Sequence, residues 1–260
     1  MSINSLILLF RKRRENRLNN VCGIENCKWG KRALSIDNLK IIKENVIFKD
    51  LDLEKLEGIF SNVSYSIKCF KKGECIFSEL NKNKYIGIIL KGEMQAKKYH
   101  YSGKEIILNK MKKGDVIGIS SLGNRQDFFP TEIIAVKDSR VLIIENKEYI
   151  NILKSDTMLL DNYFTYVSEK IYFLNKRIEG FTSENALERL VCFLESEKIR
   201  GYNKDKIKVE FTKEELCKYL SISRASLYRA LKKLKDTRKI TCYSSTIIIN
   251  SDEDFREILN

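Results

Sequence analysis

The sequence predicts an α+β chain: an antiparallel β-roll of jelly-roll type, one long helix, then a winged helix-turn-helix. Three observations carry this. Between Val63 and Ile144, runs of Ile, Val, Tyr and Phe are split by glycines at Gly73, Gly92, Gly103 and Gly114. Strands of about 5–6 residues between regular turns suit a small antiparallel roll or barrel. From Leu160, the residues Phe164, Val167, Ile171, Leu174, Ile178 and Phe181 follow at alternating steps of four and three, as on one helix face. Near the C-terminus, FTKEELCKYLSISRASLYRALKKLK (211–235) holds two short helical patterns around a tight break.

Composition bounds the rest. At 260 residues the chain has room for two domains, its 43% hydrophobic content can build cores, and a single proline argues against a low-complexity polymer. The net charge of +13 points to a polyanionic partner. Residues 213–239 hold nine Lys/Arg against three Asp/Glu, and residues 1–47 hold ten against four, so the excess sits at the two ends. Seven scattered cysteines do not form a disulfide framework. The apolar run Leu6–Phe10 is too short for a signal or a membrane span, and the basic RKRR follows it. The expected setting is the cytoplasm, with no membrane partner.

In chain order, residues 1–46 read as a basic extension, poorly ordered and turning helical near Asn38–Lys43; they include Cys22, Cys27 and the only tryptophan, Trp29. Residues 47–153 form the roll domain, entered through short helices in IFKDLDLEKLEGIF (47–60). Residues 154–181 form the long helix. Its seam of Leu160, Phe164, Val167, Ile171, Leu174 and Ile178 is covered either by its own domain or by a second copy. A narrow seam in strict register favours the dimer.

Residues 182–260 form the winged unit. Thr182-Ser183 offers a break and a helix start, and Ala186, Leu187, Leu190, Val191 and Leu194 make one apolar face. Thr212 with Glu215 has capping-box spacing, and Ser223 is a good N-cap for the second helix. Leu227, Leu231 and Leu234 mark its buried side, leaving Arg224, Tyr228, Arg229, Lys232 and Lys235 outside, with Lys233 at the margin. KITCYSSTIIIN (239–250) reads as a two-stranded wing around Tyr243–Ser245. An ordinary amphipathic helix pair would share the apolar pattern. The basic outer face, with small Ala225 and Ser226 at the front of the second helix, instead suits a helix that enters the DNA major groove N-terminus first.

This order resembles the Crp/Fnr family of bacterial transcription regulators from about Ile47 onward, most specifically in SISRASLYRALKKLK (221–235) and in the roll motifs LKGEM and KKGDVIG. The resemblance implies a homodimer on two-fold symmetric double-stranded DNA that recruits or blocks RNA polymerase, with an effector felt in the roll. It also implies base reading by Arg224 and Arg229 and phosphate or capping roles for Thr212 and Ser223. Ala225, Ser226, Tyr228 and Lys232 complete the expected DNA-binding set. Ala225 stands where the family often has a Glu that accepts from cytosine, and Tyr228 where Gly or Ser is frequent, so a distinct operator is expected.

The effector is not legible. The cyclic-nucleotide branch holds the ribose with a Gly-Glu pair and the phosphate with an Arg-Ser/Thr pair. Here the segments read Gly118-Ile119-Ser120-Ser121 and Asp127-Phe128-Phe129-Pro130-Thr131. A buried phosphate without a cation is costly, so cAMP and cGMP are not expected. Nor is an iron–sulfur cluster, which takes four thiolates, because Cys22, Cys27, Cys69 and Cys75 lack that pattern. Ile119, Leu122, Phe128, Phe129 and Thr131 are either roll core, the lining of a pocket for a small, largely apolar or non-phosphorylated effector, or a collapsed pocket in a constitutively active protein. With one histidine and no Walker loop, HExxH or nucleophile elbow, no enzyme is expected. The competing reading is an interaction module whose basic face binds a membrane or an acidic protein.

Overall fold

The computed structural model describes residues 29–31, 33–78, 85–99, 105–123, 131–183, 185–200, 207–243, 245–250 and 255. The chain divides into two compact units, the first ending at Tyr166 and the second beginning at Val167.

Among the described residues the first unit is built on eight strands: β1 (Tyr65–Phe70), β2 (Cys75–Phe77), β3 (Tyr85–Lys91), β4 (Glu93–Tyr99), β5 (Glu105–Lys112), β6 (Val116–Ile117), β7 (Glu132–Ala135) and β8 (Ser139–Glu145). They make two four-stranded antiparallel sheets, in the orders β1-β8-β3-β6 and β2-β7-β4-β5. The expected roll is therefore present.

Side-chain alternation along β8 explains how it is held. Val141 and Ile143 join Phe70, Phe77, Ile89 and Met94 in one core cluster. Leu142 and Ile144 point the other way, into a second cluster with Ile86, Ile88 and Tyr149. A strand buried on both faces needs a continuous apolar run, which VLII supplies. The glycine turns have a steric reason. At Gly92 φ is 93°, and a Cβ there would lie 2.6 Å from the Asp138 carbonyl and 2.7 Å from the Ser139 Cα.

The second cluster is roofed by helices. Helix α1 (Ile36–Lys43) starts at Ser35, whose hydroxyl accepts from the Asn38 amide, and it buries Leu39 and Ile42. Helix α2 (Leu53–Ser61) starts at Asp52, whose carboxylate accepts from the Lys55 amide at 2.7 Å. Two expectations change here. The segment from Ile47 to Asp52 is turns rather than helix, because Asp52 is a cap and not an interior residue; its Ile47, Phe48 and Leu51 are core. Nor does an ill-ordered extension run to residue 46: Leu34, Leu39 and Ile42 are core, Gly30 bridges Tyr65, and Trp29 stacks on Tyr85 with centroids 5.4 Å apart. Residues 1–28, with Cys22 and Cys27, lie outside the described set.

Helix α3 (Asn146–Lys154) and the 26-residue helix α4 (Thr157–Thr182) follow. Leu160, Tyr163 and Tyr166 pack against the second cluster.

In the second unit, helix α5 (Ala186–Arg200) buries Leu187, Leu190, Val191, Phe193 and Leu194. Its start is set by Asn185, whose side-chain oxygen accepts from the Leu187 amide at 2.9 Å. Thr182 and Ser183, expected to begin this helix, instead bond back to the Glu179 carbonyl and close α4. Strand β9 (Ile207–Glu210) leads to helices α6 (Lys213–Leu220) and α7 (Arg224–Asp236), then to β10 (Ile240–Cys242) and β11 (Thr246–Ile249). The wing is thus a three-stranded sheet, β10-β11-β9. Phe193, Phe211 and Tyr219 meet edge-on, with centroids 4.9–5.3 Å apart, and join helices to sheet.

Candidate nucleic-acid interface

The capping box at the head of α6 is complete. The Thr212 hydroxyl accepts from the Glu215 amide at 3.1 Å, and the Glu215 carboxylate accepts from the Thr212 amide at 2.9 Å. The helix stops because Ser221 takes the left-handed conformation, with φ 55° and ψ 40°. That turn redirects the chain within two residues. Ser223 then caps α7, its hydroxyl accepting from the Ser226 amide at 3.1 Å. Leu227, Ala230, Leu231 and Leu234 are buried.

The opposite face of α7 is open. Arg224, Ala225, Tyr228, Arg229, Lys232, Lys233 and Lys235 are exposed, as are Thr212 and Ser223, while Ser226 is half-buried. Tyr228 presents an apolar ring on a cationic face, 57% exposed. Arg229 is drawn back along its own helix, donating to the Ser226 hydroxyl at 3.3 Å, and that hydroxyl is 3.0 Å from Ser223 Oγ. A cleft of about 610 Å³ lies beside this network, with Arg189, Ser223, Ser226, Arg229 and Lys233 on its walls.

The wing adds groups that sequence reasoning passed over. The Lys213 ammonium, in the first turn of α6, lies 3.5 Å from the Tyr243 carbonyl at the wing turn, and the Tyr243 ring is 58% exposed. Burial pushes the Cys242 thiol up, while Lys213 and Lys235 pull it the other way. That sets the wing within electrostatic reach of both helices. The Cys217 thiol on α6 is likewise raised by burial, against the nearby Arg224. Strand β9 was missed as well, although the alternation Ile207, Val209, Phe211 is visible in the sequence.

In the roll, Ile119 and Leu122 are half-buried against the second cluster, and Thr131 is half-buried beside β7. Phe128 and Phe129 lie outside the described residues, as does His100. At the turn Gly118–Ser121 the Ser121 side chain and carbonyl are bonded locally. The Ser121 hydroxyl donates to the Gly118 carbonyl at 2.7 Å, and Asn146 donates to the Ser121 carbonyl at 3.0 Å. Cys69 is exposed and Cys75 buried. Among the described residues no cluster of three or more His, Cys, Asp or Glu is placed to hold a metal, and no helix is long and apolar enough to cross a membrane.

Along α4, Phe164, Ile171, Leu174 and Ile178 are each 55–60% exposed, whereas Val167 is half-buried and Leu160 packs on the second cluster. Four large apolar side chains thus share one open stripe.

Comparison with known proteins agrees with this architecture. Residues 67–156 match the cyclic nucleotide-binding domain. The chain is 25% identical over 215 residues to a protein of Porphyra purpurea named as an HTH-type transcriptional regulator, ycf28, covering 80% of this chain and 89% of that one. The structure is similar to a CooA double mutant from Carboxydothermus hydrogenoformans, with a TM-score of 0.63, 15% identity, and 88% and 97% of the two chains covered. It is also similar to a protein from Eubacterium rectale described as a transcriptional regulator of the Crp/Fnr family, with a TM-score of 0.50, 20% identity, and 82% and 96% covered. The resemblance read from the sequence is thus matched in the fold: a cyclic nucleotide-binding-type roll joined to a winged helix-turn-helix.

Proposed function

We propose, from the premise of a fold shared with the Crp/Fnr regulators, that this chain is a homodimeric transcription regulator reading a two-fold symmetric DNA site. One observation carries the reading most of the way: α7 is buried along its leucines and capped at Ser223, and it presents Arg224, Tyr228, Arg229 and Lys232 to solvent on one side. Arg224 donates to guanine O6 and N7, a contact worth about 1–3 kcal/mol of discrimination. Tyr228 packs on a thymine methyl or a sugar. Thr212, Ser223 and Lys232 position the duplex through its phosphates, while the small Ala225 and Ser226 let α7 lie close to the base edges. The exposed stripe of α4 joins two chains, and bound dimers recruit or block RNA polymerase. The protein binds rather than catalyses.

The roll takes no cyclic nucleotide in this reading. The turn at Gly118–Ser121 carries no carboxylate for a ribose, and Ser121 is bonded to the Gly118 carbonyl and to Asn146. Any effector is small and non-phosphorylated, held near Ile119, Leu122, Phe128, Phe129 and Thr131.

Selection from a random duplex pool tests the reading. A palindromic site is expected, with affinity falling steeply with salt as phosphate contacts release counterions. Arg224→Ala relaxes one position of that site; Arg229→Ala weakens recognition too. Binding indifferent to sequence and to both substitutions sinks the regulator and favours an interaction module with a basic face. Calorimetric titration with cAMP and cGMP is expected to show no binding.

A further inference from the structure

Arg189 lies on the wall of the basic cleft beside α7, among residues that suit a phosphate. Its guanidinium is committed elsewhere. Nε donates to the Ser183 carbonyl at 2.8 Å, and Nη1 lies 3.3 Å and 3.4 Å from the Leu220 and Ser221 carbonyls. Ser183 is the first residue beyond α4, while Leu220 and Ser221 form the turn that leads, two residues later, to the cap of α7.

The partners explain why an arginine stands here. Leu220 ends α6 and Ser221 caps it, so their carbonyls are among those a helix C-terminus leaves unpaired, at the negative end of its dipole. A cation there is favoured. The planar fork of a guanidinium also fixes acceptors on two different segments in one relative orientation, which the rotating point charge of lysine does not. A second contact tightens the same joint. A Cβ on Gly180, in the last turn of α4, would sit 3.3 Å from the Cys192 Cβ, one turn beyond Arg189 on α5. The end of α4 therefore approaches α5 closely, and α5 in turn grips the helix-turn-helix through Arg189.

We propose that Arg189 is a positioning residue that latches the reading head to the end of α4 and so sets the half-site spacing the dimer accepts. This rests on the homodimer reading. In a two-fold dimer whose long helices form the joint, the angle between each head and its helix determines how far apart the two recognition helices lie. Helix-turn-helix dimers read half-sites whose separation is a geometric consequence of that arrangement, about 34–36 Å between centres or a multiple of it. One inserted base pair moves a half-site by about 3.4 Å along the axis. A rigid latch rejects such a change, and a loosened one tolerates it.

The test uses the full-length chain and the duplex it selects from a random pool, resynthesised with one or two base pairs inserted or removed at the centre. Wild-type affinity is expected to fall by about tenfold or more at each altered spacing, because only one reading head then meets its half-site in register. Arg189→Met should bind all spacings within about threefold while keeping its affinity for a single half-site and the same salt slope. Arg189→Lys keeps the charge and the aliphatic stem but not the fork, and is expected to show the same relaxed spacing; it decides the matter if the methionine variant does not fold. A merely structural role would lower binding to every duplex equally and leave the spacing preference intact, which overturns the latch. A salt slope reduced by about one marks a direct phosphate contact and overturns it as well. A wild type with no spacing preference overturns both the latch and the dimer reading, whereas a preference retained in both variants overturns the latch alone.

Discussion

Thr212 and Glu215 satisfy each other's backbone: each side chain accepts from the other's amide, at 3.1 Å and 2.9 Å. Two of the four amides that the start of α6 leaves open are thereby paired. Thr212→Ala is expected to cost about 1 kcal/mol, the usual loss for an N-cap hydroxyl. Glu215→Ala should cost less, since the threonine still accepts. Urea melts of the purified protein measure both, and equal losses would mean that the returning carboxylate matters as much as the cap.

Gly92 sits at φ 93°, with the Asp138 carbonyl where a Cβ would go. The backbone conformation alone costs about 1–3 kcal/mol for a side chain, and the overlap with Asp138 and Ser139 adds to it. Gly92→Ala should therefore be among the most destabilising single-methyl additions in the roll. Gly58→Ala, on exposed helix with nothing within 4 Å of the new methyl, should instead be neutral or stabilising by a few tenths to about 1 kcal/mol. Thermal melts should show a lowered midpoint for Gly92→Ala and an unchanged or raised one for Gly58→Ala if the steric account holds.

These turns and caps were the legible part of the chain, because each is chemistry between residues a few positions apart. Glycine where φ is positive, Thr and Glu three apart, and serine before a leucine stripe all announce themselves locally. Such signals placed the roll, α6, α7 and the two wing strands. Three features were not readable, for different reasons. Strand β9 pairs with β11, which lies beyond both helices of the motif, so no adjacent hairpin marked its visible alternation as a strand. The packing of Leu34, Leu39 and Ile42 under the roll depends on partners far along the chain, while the neighbouring basic residues suggested an ill-ordered tail. Arg189 acts on backbone carbonyls, which every residue has, so no pattern of side chains points to it.

Alkaline pH should separate the roll's buried groups. Burial, helped by the negative charge of Glu132, pushes the Cys75 thiol up to about 12 from an ordinary value of 9.0. Between those values the unfolded chain gives up the proton while the folded chain keeps it, so stability falls as pH rises. Below pH 9 the effect is absent. Burial also holds the Tyr149 hydroxyl well above 10, and that hydroxyl has no hydrogen-bond partner among the described residues. Cys75→Ala should flatten part of the decline seen in urea melts between pH 9 and 11. Tyr149→Phe should flatten another part and, by removing an unpaired buried hydroxyl, leave stability at pH 7 unchanged or higher. A decline unaltered by either substitution would place its origin in other groups.

The stripe on α4 tests the assembly. Ile171 and Leu174 are 56% and 55% exposed, flanked by Phe164 and Ile178 at the same helical spacing. Burial of apolar surface contributes about 25 cal/mol per Å², so four large side chains left to water on each chain are a strong incentive for pairing. Glutamates at two central positions would bring four carboxylates into the proposed joint, where like charges repel and desolvation is costly. Ile171→Glu with Leu174→Glu should therefore give single chains of 30.4 kDa by light scattering. The variant should remain folded, because neither side chain belongs to the core of its own unit. Its affinity for one half-site should survive while that for the palindrome collapses, since the second reading head is no longer held nearby. A double variant that stays dimeric would mean the two copies meet elsewhere, and the palindrome would then owe nothing to α4.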